Sequence, residues 1–249
     1  MRITILLFCL SGLIATGVDV PEDNARDVLE NAVKKLALKD IQLNLEVKTT
    51  DGKGNSKSRT MEVSFAMFDD LKKVLVEITA PENIRGTRIL ATDYPDKKGI
   101  IEVYMPSTGK TRKFRSNNRK LKIIGSEIPI NHFSGTAYAG YEISVAETVI
   151  VDGDKCYKIK LNSPDETEVL IVYISYEGEQ LFRIESYDSL GDLTGVTELS
   201  DYFRIDIPGA GDFYPRLVSV KNLKNGKASN MEIIKIVPLK EIRKTDFEL

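Results

Sequence analysis

The chain has 249 residues, of which 42% are apolar and 29% charged, with 35 Lys and Arg against 37 Asp and Glu. That balance describes an ordinary globular protein rather than a disordered one, and it lacks the strong positive charge of a nucleic-acid binder. One histidine and two cysteines are too few for a His/Cys zinc cluster.

The N-terminus reads as an export signal. Arg2 is the one charge in the first eighteen residues, and residues 3–14 form a nearly unbroken apolar run, too short to span a bilayer comfortably. Ala15, Thr16 and Gly17 supply small residues for a signal peptidase, which places cleavage after Gly17 and divides the chain into a signal peptide, 1–17, and a single mature domain, 18–249. An uncleaved anchor is the rival. A lipoprotein signal at Cys9 fails because Phe8 stands where a small residue is required. The mature chain then has 34 basic residues against 37 acidic ones and one cysteine, Cys156, so no internal disulfide holds it together. A small packed side chain is the simpler account of Cys156, a reactive thiol the alternative.

Ala25, Val28, Leu29, Ala32, Val33 and Leu36 recur at helical spacing and predict a helix over 22–39 with one buried stripe. After Asp40 the period becomes two: Ile41, Leu43, Leu45 and Val47, then Met61, Val63, Phe65 and Met67 beyond the 51–55 turn, then Val74, Val76 and Ile78. Further strands are expected at about 84–92, 99–105, 110–115, 143–151, 155–162, 168–175, 181–188, 194–204, 213–223 and 228–237. Short turns at Gly153, Gly178, Gly191 and Asn225-Gly226 imply antiparallel hairpins. Residues 169–174 are apolar on both faces, which predicts cover on both sides, and 125–140 has no strand pattern and reads as an excursion over an opening. The expected fold is mainly β with a few helices: a strongly curved antiparallel sheet, an incomplete β-barrel, closed by helices around an apolar cavity that is either open or filled by its own side chains. The inward phases put Leu43, Leu45, Val63, Phe65, Val74, Val76 and Val103 on that concave face.

Little in the chain suggests catalysis. A Ser-His-Asp triad would need His132, and no Gly-x-Ser-x-Gly elbow exists. The Gly109-Lys110-Thr111 triplet lacks the upstream glycine of a phosphate loop and fits a hairpin turn. We therefore expect no catalytic residue, metal or cofactor. The strongest local charge bias is basic: Lys110, Arg112, Lys113, Arg115, Arg119, Lys120 and Lys122, with no acid between them. It is either a solvated hairpin face or a landing site for an anionic partner.

One stretch is familiar. Pro81, Ile84-Arg85-Gly86-Thr87, Leu90, Tyr104-Met105-Pro106, Lys110, Arg112 to Arg115 and Gly125-Ser126-Glu127 follow one another as in the outer-membrane lipoprotein-sorting protein family, relatives of the periplasmic lipoprotein carriers and receptors, which this chain resembles. Tyr214-Pro215 and the closing Asp246-Phe247-Glu248-Leu249 are similar too. The chain departs from the family in having no tryptophan and in placing Ile123-Ile124 where aromatic residues are usual. The resemblance implies a curved half-barrel and the carriage of lipidated protein or lipid through the periplasm, with an inner-membrane transporter as donor and an outer-membrane acceptor, and no nucleic acid. It makes Arg85, Arg88, Arg112, Lys113 and Arg115 candidate contacts for a headgroup or partner. An envelope sensor or scaffold that uses the same fold to bind protein is the rival class, and co-purified lipid discriminates the two.

Overall fold

The structure is a computed structural model that describes residues 18–37, 39–94, 99–116, 122–123, 125–129, 138, 140–207 and 212–249. The proposed signal peptide, His132 and the Arg119 and Lys120 end of the basic run lie outside the described residues.

Fourteen strands form one antiparallel sheet. After β1 (Val18–Asp19) and α1 (Glu22–Leu36), a first meander runs β2 (Ile41–Thr50), β3 (Ser56–Phe68), β4 (Leu71–Ala80), β5 (Arg88–Asp93), β6 (Gly99–Met105) and β7 (Lys110–Ser116). A second runs β8 (Glu142–Val151), β9 (Asp154–Asn162), β10 (Glu168–Ser175), β11 (Leu181–Asp188), β12 (Leu193–Arg204), β13 (Phe213–Asn222) and β14 (Lys227–Pro238). The two meet where β14 pairs with β2, so the order is β1-β8-β9-β10-β11-β12-β13-β14-β2-β3-β4-β5-β6-β7. The ends, β1 and β7, do not pair with each other, and the barrel stays open. Alternation puts one apolar face of each meander on the same side, and side chains from β2–β6 and β8–β14 join a single core with α1.

The helix behaves as its stripe predicts. Ala25, Val28, Leu29, Ala32, Val33 and Leu36 are all buried, and α1 packs against β8, β10 and β13. It stops at Leu36, short of the expected 39: Ala37 turns extended, its N–H bonds to the Lys34 carbonyl, and the buried Tyr214 hydroxyl donates to the Leu36 carbonyl. Lys35 donates to the Gly178 carbonyl and the Glu179 carboxylate, tying the same end to the β10–β11 turn. Each fully buried Leu or Val of the stripe contributes about 1.5–3 kcal/mol.

Three expectations need correction. Among the described residues there is one α-helix rather than a few, and α1 packs mainly on β8, β10 and β13 of the second meander. The strand expected from Ile84 starts at Arg88, because residues Glu82–Ile84 form a 3-10 turn and Gly86, at φ +76°, reverses the chain to bond Ile78. On β10, Leu170, Val172 and Ile174 enter the core, while on the convex face Ile171 and Tyr173 are covered by neighbouring strands' Val149, Val151, Cys156 and Phe182 rather than, among the described residues, by a second layer. Cys156 is thus a buried, packed thiol.

The convex face of the first meander carries the C-terminal strap. Leu239, Ile242, Phe247 and Leu249 pack on Ala66, Phe68, Leu75 and Leu90. Lys73 donates to the Phe247 carbonyl at 3.0 Å and Arg88 to the Glu248 carbonyl at 2.7 Å.

Candidate functional site

The residues read as inward-facing do converge. Leu43, Leu45, Val63, Phe65, Val74 and Val76 surround one apolar cavity, together with Ile123 and Met231. Val103 lies on the same face further out, packed with Ile101 against the core. Pairing explains the convergence: Leu43 is opposite Val63, Val63 opposite Val76, and Phe65 opposite Val74, so a single inward phase runs across three strands. The cavity is small, about 20 Å³, room for little more than one water. Phe65, Val74, Ile101 and Val103 are only half-buried, because α1 does not reach them.

What fills this half is the described part of the irregular segment, which crosses the concave side. Ile123 closes the small cavity and Ile128 is fully buried. The Gly125-Ser126-Glu127 step holds it there. Thr49 donates to the Gly125 carbonyl at 3.0 Å, and the Glu127 N–H donates to the Ser229 hydroxyl at 2.9 Å. The Ser126 hydroxyl donates to the Ile123 carbonyl and receives the Ile128 N–H. Gly125 is at φ +69°, a backbone conformation that favours glycine; a β-carbon there would also displace the tip of the Arg59 side chain, 2.8 Å away. Burial alone would raise the Glu127 carboxyl, but Lys122 at 2.5 Å and Asn222 at 2.9 Å outweigh it and hold the group below its ordinary range.

A second, larger cavity lies on the other side of this segment. It has a volume of about 300 Å³ and reaches from Glu127 and Pro129 to the floor formed by Leu170, Val196 and Val220. Tyr138 and Tyr141 line it, their rings edge to face at 5.9 Å, and burial pushes the Tyr138 hydroxyl far above its ordinary range. Its lips are polar: Asp165, Thr167, Ser186, Thr194 and Asn222. The Ser163 and Thr167 hydroxyls donate to Asp165 and hold it down at about 2, so the lip is charged at neutral pH. Most of the 125–140 excursion expected from the sequence lies outside the described residues; of its described part, Glu127, Pro129 and Tyr138 line this cavity. The lining itself was not legible, since it combines one face of β10–β13 with a segment that has no period.

The basic residues divide. Arg112 pairs across from Val103 and shares its concave face, as does Phe114 opposite Ile101. Lys113 and Arg115 occupy the alternate, convex phase, where Lys113 bonds Glu102 at 3.1 Å. Arg85 is exposed and pairs with Glu82 inside the 3-10 turn. Arg88 is on the convex face beside Glu77, holding the C-terminal strap. Among the described residues, no group of three His, Cys, Asp or Glu side chains is arranged to hold a metal, and no helix is long and apolar enough to cross a membrane.

The same fold, an open antiparallel sheet wrapped round one helix, occurs in solved structures that are 15–16% identical to this chain. A domain from Vibrio parahaemolyticus described as an outer membrane lipoprotein-sorting protein superposes with a TM-score of 0.74 at 15% identity, over 92% of this chain and 97% of its own. A DUF1329 family protein from Desulfovibrio piger gives 0.75 at 15% identity over 93% and 98%, and a LolA superfamily protein from Nitrosomonas europaea 0.67 at 16% over 90% and 97%. By sequence, residues 70–249 match a family model whose description reads only "uncharacterized protein", and the chain belongs to that family. No curated protein matches it.

Proposed function

We propose that the protein is a non-enzymatic periplasmic carrier that binds the acyl chains of lipidated proteins or lipids, and that the mature domain begins near Val18. The observation that carries this reading is the concave apolar face of β2–β6, whose outer residues Phe65, Val74, Ile101 and Val103 are half-buried and, among the described residues, lie under no helix. Such a face supports a reversible binder: each methylene buried from water contributes about 0.8 kcal/mol, and no catalytic group is required. The small cavity at its centre is the collapsed form, and displacing Ile123 opens a path along the face. Arg112, exposed beside Val103, meets an anionic headgroup at the outer end, while Arg88 serves the strap. The likeness of fold to the Vibrio and Nitrosomonas proteins supports the same reading.

Titration with a fluorescent fatty acid and with a lipopeptide, beside thermal melts, tests it. Wild type should bind both saturably, and Val76→Trp, which overfills the small cavity, should weaken binding about tenfold or more while costing about 1–3 kcal/mol of stability, short of unfolding. A wild type that binds no acylated ligand contradicts the proposal.

A further inference from the structure

Exposed apolar side chains occur at several places on the sheet, Val18 at 68% and Ile234 at 56% among them, but three leucines gather on one rim. Leu190 is 86% exposed, Leu223 49% and Leu193 37%, and all three belong to two neighbouring hairpin tips, β11–β12 and β13–β14. Both tips are rigidly built. Asp188 accepts the N–H groups of Leu190 and Asp192, each at 3.1 Å, so the turn presents Leu190 outward instead of folding it in. Asn222 accepts from Lys224 and Asn225 in the same manner. The tips are joined: the Leu223 N–H donates to the Thr194 carbonyl at 2.9 Å, and Lys224 pairs with Asp188 at 2.8 Å. A third tip abuts them, with the β2–β3 turn at Gly52 packed on Asn225 and Gly226.

We infer that this rim is a membrane-docking surface that takes an anionic lipid bilayer. Leucines carried on separate points of a rim, with Ser189, Asp192 and Asn225 around them, do not make the contiguous patch of about 1,000 Å² that a protein interface needs. A fluid headgroup layer accommodates them one by one. Charge adds a small bias. Lys53, Lys221, Lys224 and Lys227 stand on these tips against Asp51, Asp188 and Asp192, one positive charge in excess, and Asp51 accepts from the Lys53 and Asn55 N–H groups of its own loop. Lysine stems lie along an apolar tip while their ammonium groups reach lipid phosphates. The rim also adjoins the larger cavity: Thr194 follows Leu193, Asn222 precedes Leu223, and both line its lips. Docking would therefore set the mouth of that cavity against the bilayer. The inference stands on exposure and charge, and holds whether or not the interior takes an acyl chain.

Co-sedimentation of the mature protein with phosphatidylcholine vesicles, with and without about 30% phosphatidylglycerol as the anionic component, tests it. Wild type should partition to the anionic vesicles, less so as salt rises, and Leu190→Asp with Leu223→Asp should weaken partition about tenfold or more at an unchanged melting temperature. Because the chain has no tryptophan, Leu190→Trp gives a single reporter, whose emission should shift blue on adding vesicles and be quenched by brominated acyl chains. No partition of wild type, equal partition of the aspartate variant, or a reporter that is neither shifted nor quenched would overturn the inference.

Discussion

The two meanders use the same alternation of apolar and polar residues yet end in different states. Under α1, Ile159, Leu161, Val172, Ile174, Leu181 and Ile184 of the second meander are fully buried. In the first, Ile41, Val47, Met61 and Ile78 are as deeply buried, but Phe65, Val74, Ile101 and Val103 on the same side remain half-buried. Nothing in the strand patterns distinguishes them. The difference is what lies on top: a helix with a stripe of six buried side chains on one half, and a loop that contributes Ile123 and Ile128 to the other. Among the described residues a helix covers one half and a loop bridges the other, and on the second half the outer apolar side chains stay half-buried.

The largest expected effect separates the halves directly. Leu29→Asp buries an unpaired charge between α1 and the sheet and should cost about 3–5 kcal/mol, enough to unfold much of the population. Val103→Asp, on the uncovered face, should cost about 1 kcal/mol or less, because its carboxylate can reach water. Chemical denaturation of both variants checks this; equal losses would mean the two faces are equally closed.

The loop bridge is the next test. Glu127→Gln removes the charge that Lys122 and Asn222 hold, and should destabilise by about 1–2 kcal/mol. The folded carboxyl lies below its ordinary value of 4.5. Its stabilisation is therefore fully present above that pH and is lost as the pH falls through the lower folded value. Wild type should lose stability relative to the Gln variant on acidification below 4.5, and parallel melting curves for the two across that range would place Glu127 outside the account.

The β2–β6 face was legible from the sequence because a period of two survives pairing: Leu43, Val63 and Val76 fall opposite one another once the turns set the register. The helix was legible for the same kind of reason. Its end was not: the chain turns extended at Ala37, and the Leu36 carbonyl left free there is bonded by Tyr214, 178 residues away. The larger cavity was also hidden, because Glu127 and Leu170 meet only through the fold of the whole second meander. Five basic residues grouped as one set in the sequence divide between faces, and Arg88 is bound to the C-terminal strap, a partner far away in the chain.

The smallest expected effect follows from that division. Arg112→Glu, on the concave phase beside Val103, should weaken binding of an acyl ligand with an anionic head by a few-fold and flatten its salt dependence. Lys113→Glu with Arg115→Glu, on the convex phase, should leave both unchanged. Isothermal titration at two salt concentrations reads the difference, and the reverse ranking would assign the headgroup to the convex side.

The central claim is that the uncovered concave face binds acyl chains, and a photoactivatable fatty acid tests it most directly. After irradiation and digestion, mass spectrometry should find adducts on the strands carrying Phe65, Val74, Ile101 and Val103, suppressed by excess unlabelled fatty acid. Adducts confined to the convex face, or adducts that unlabelled ligand does not compete away, would contradict it.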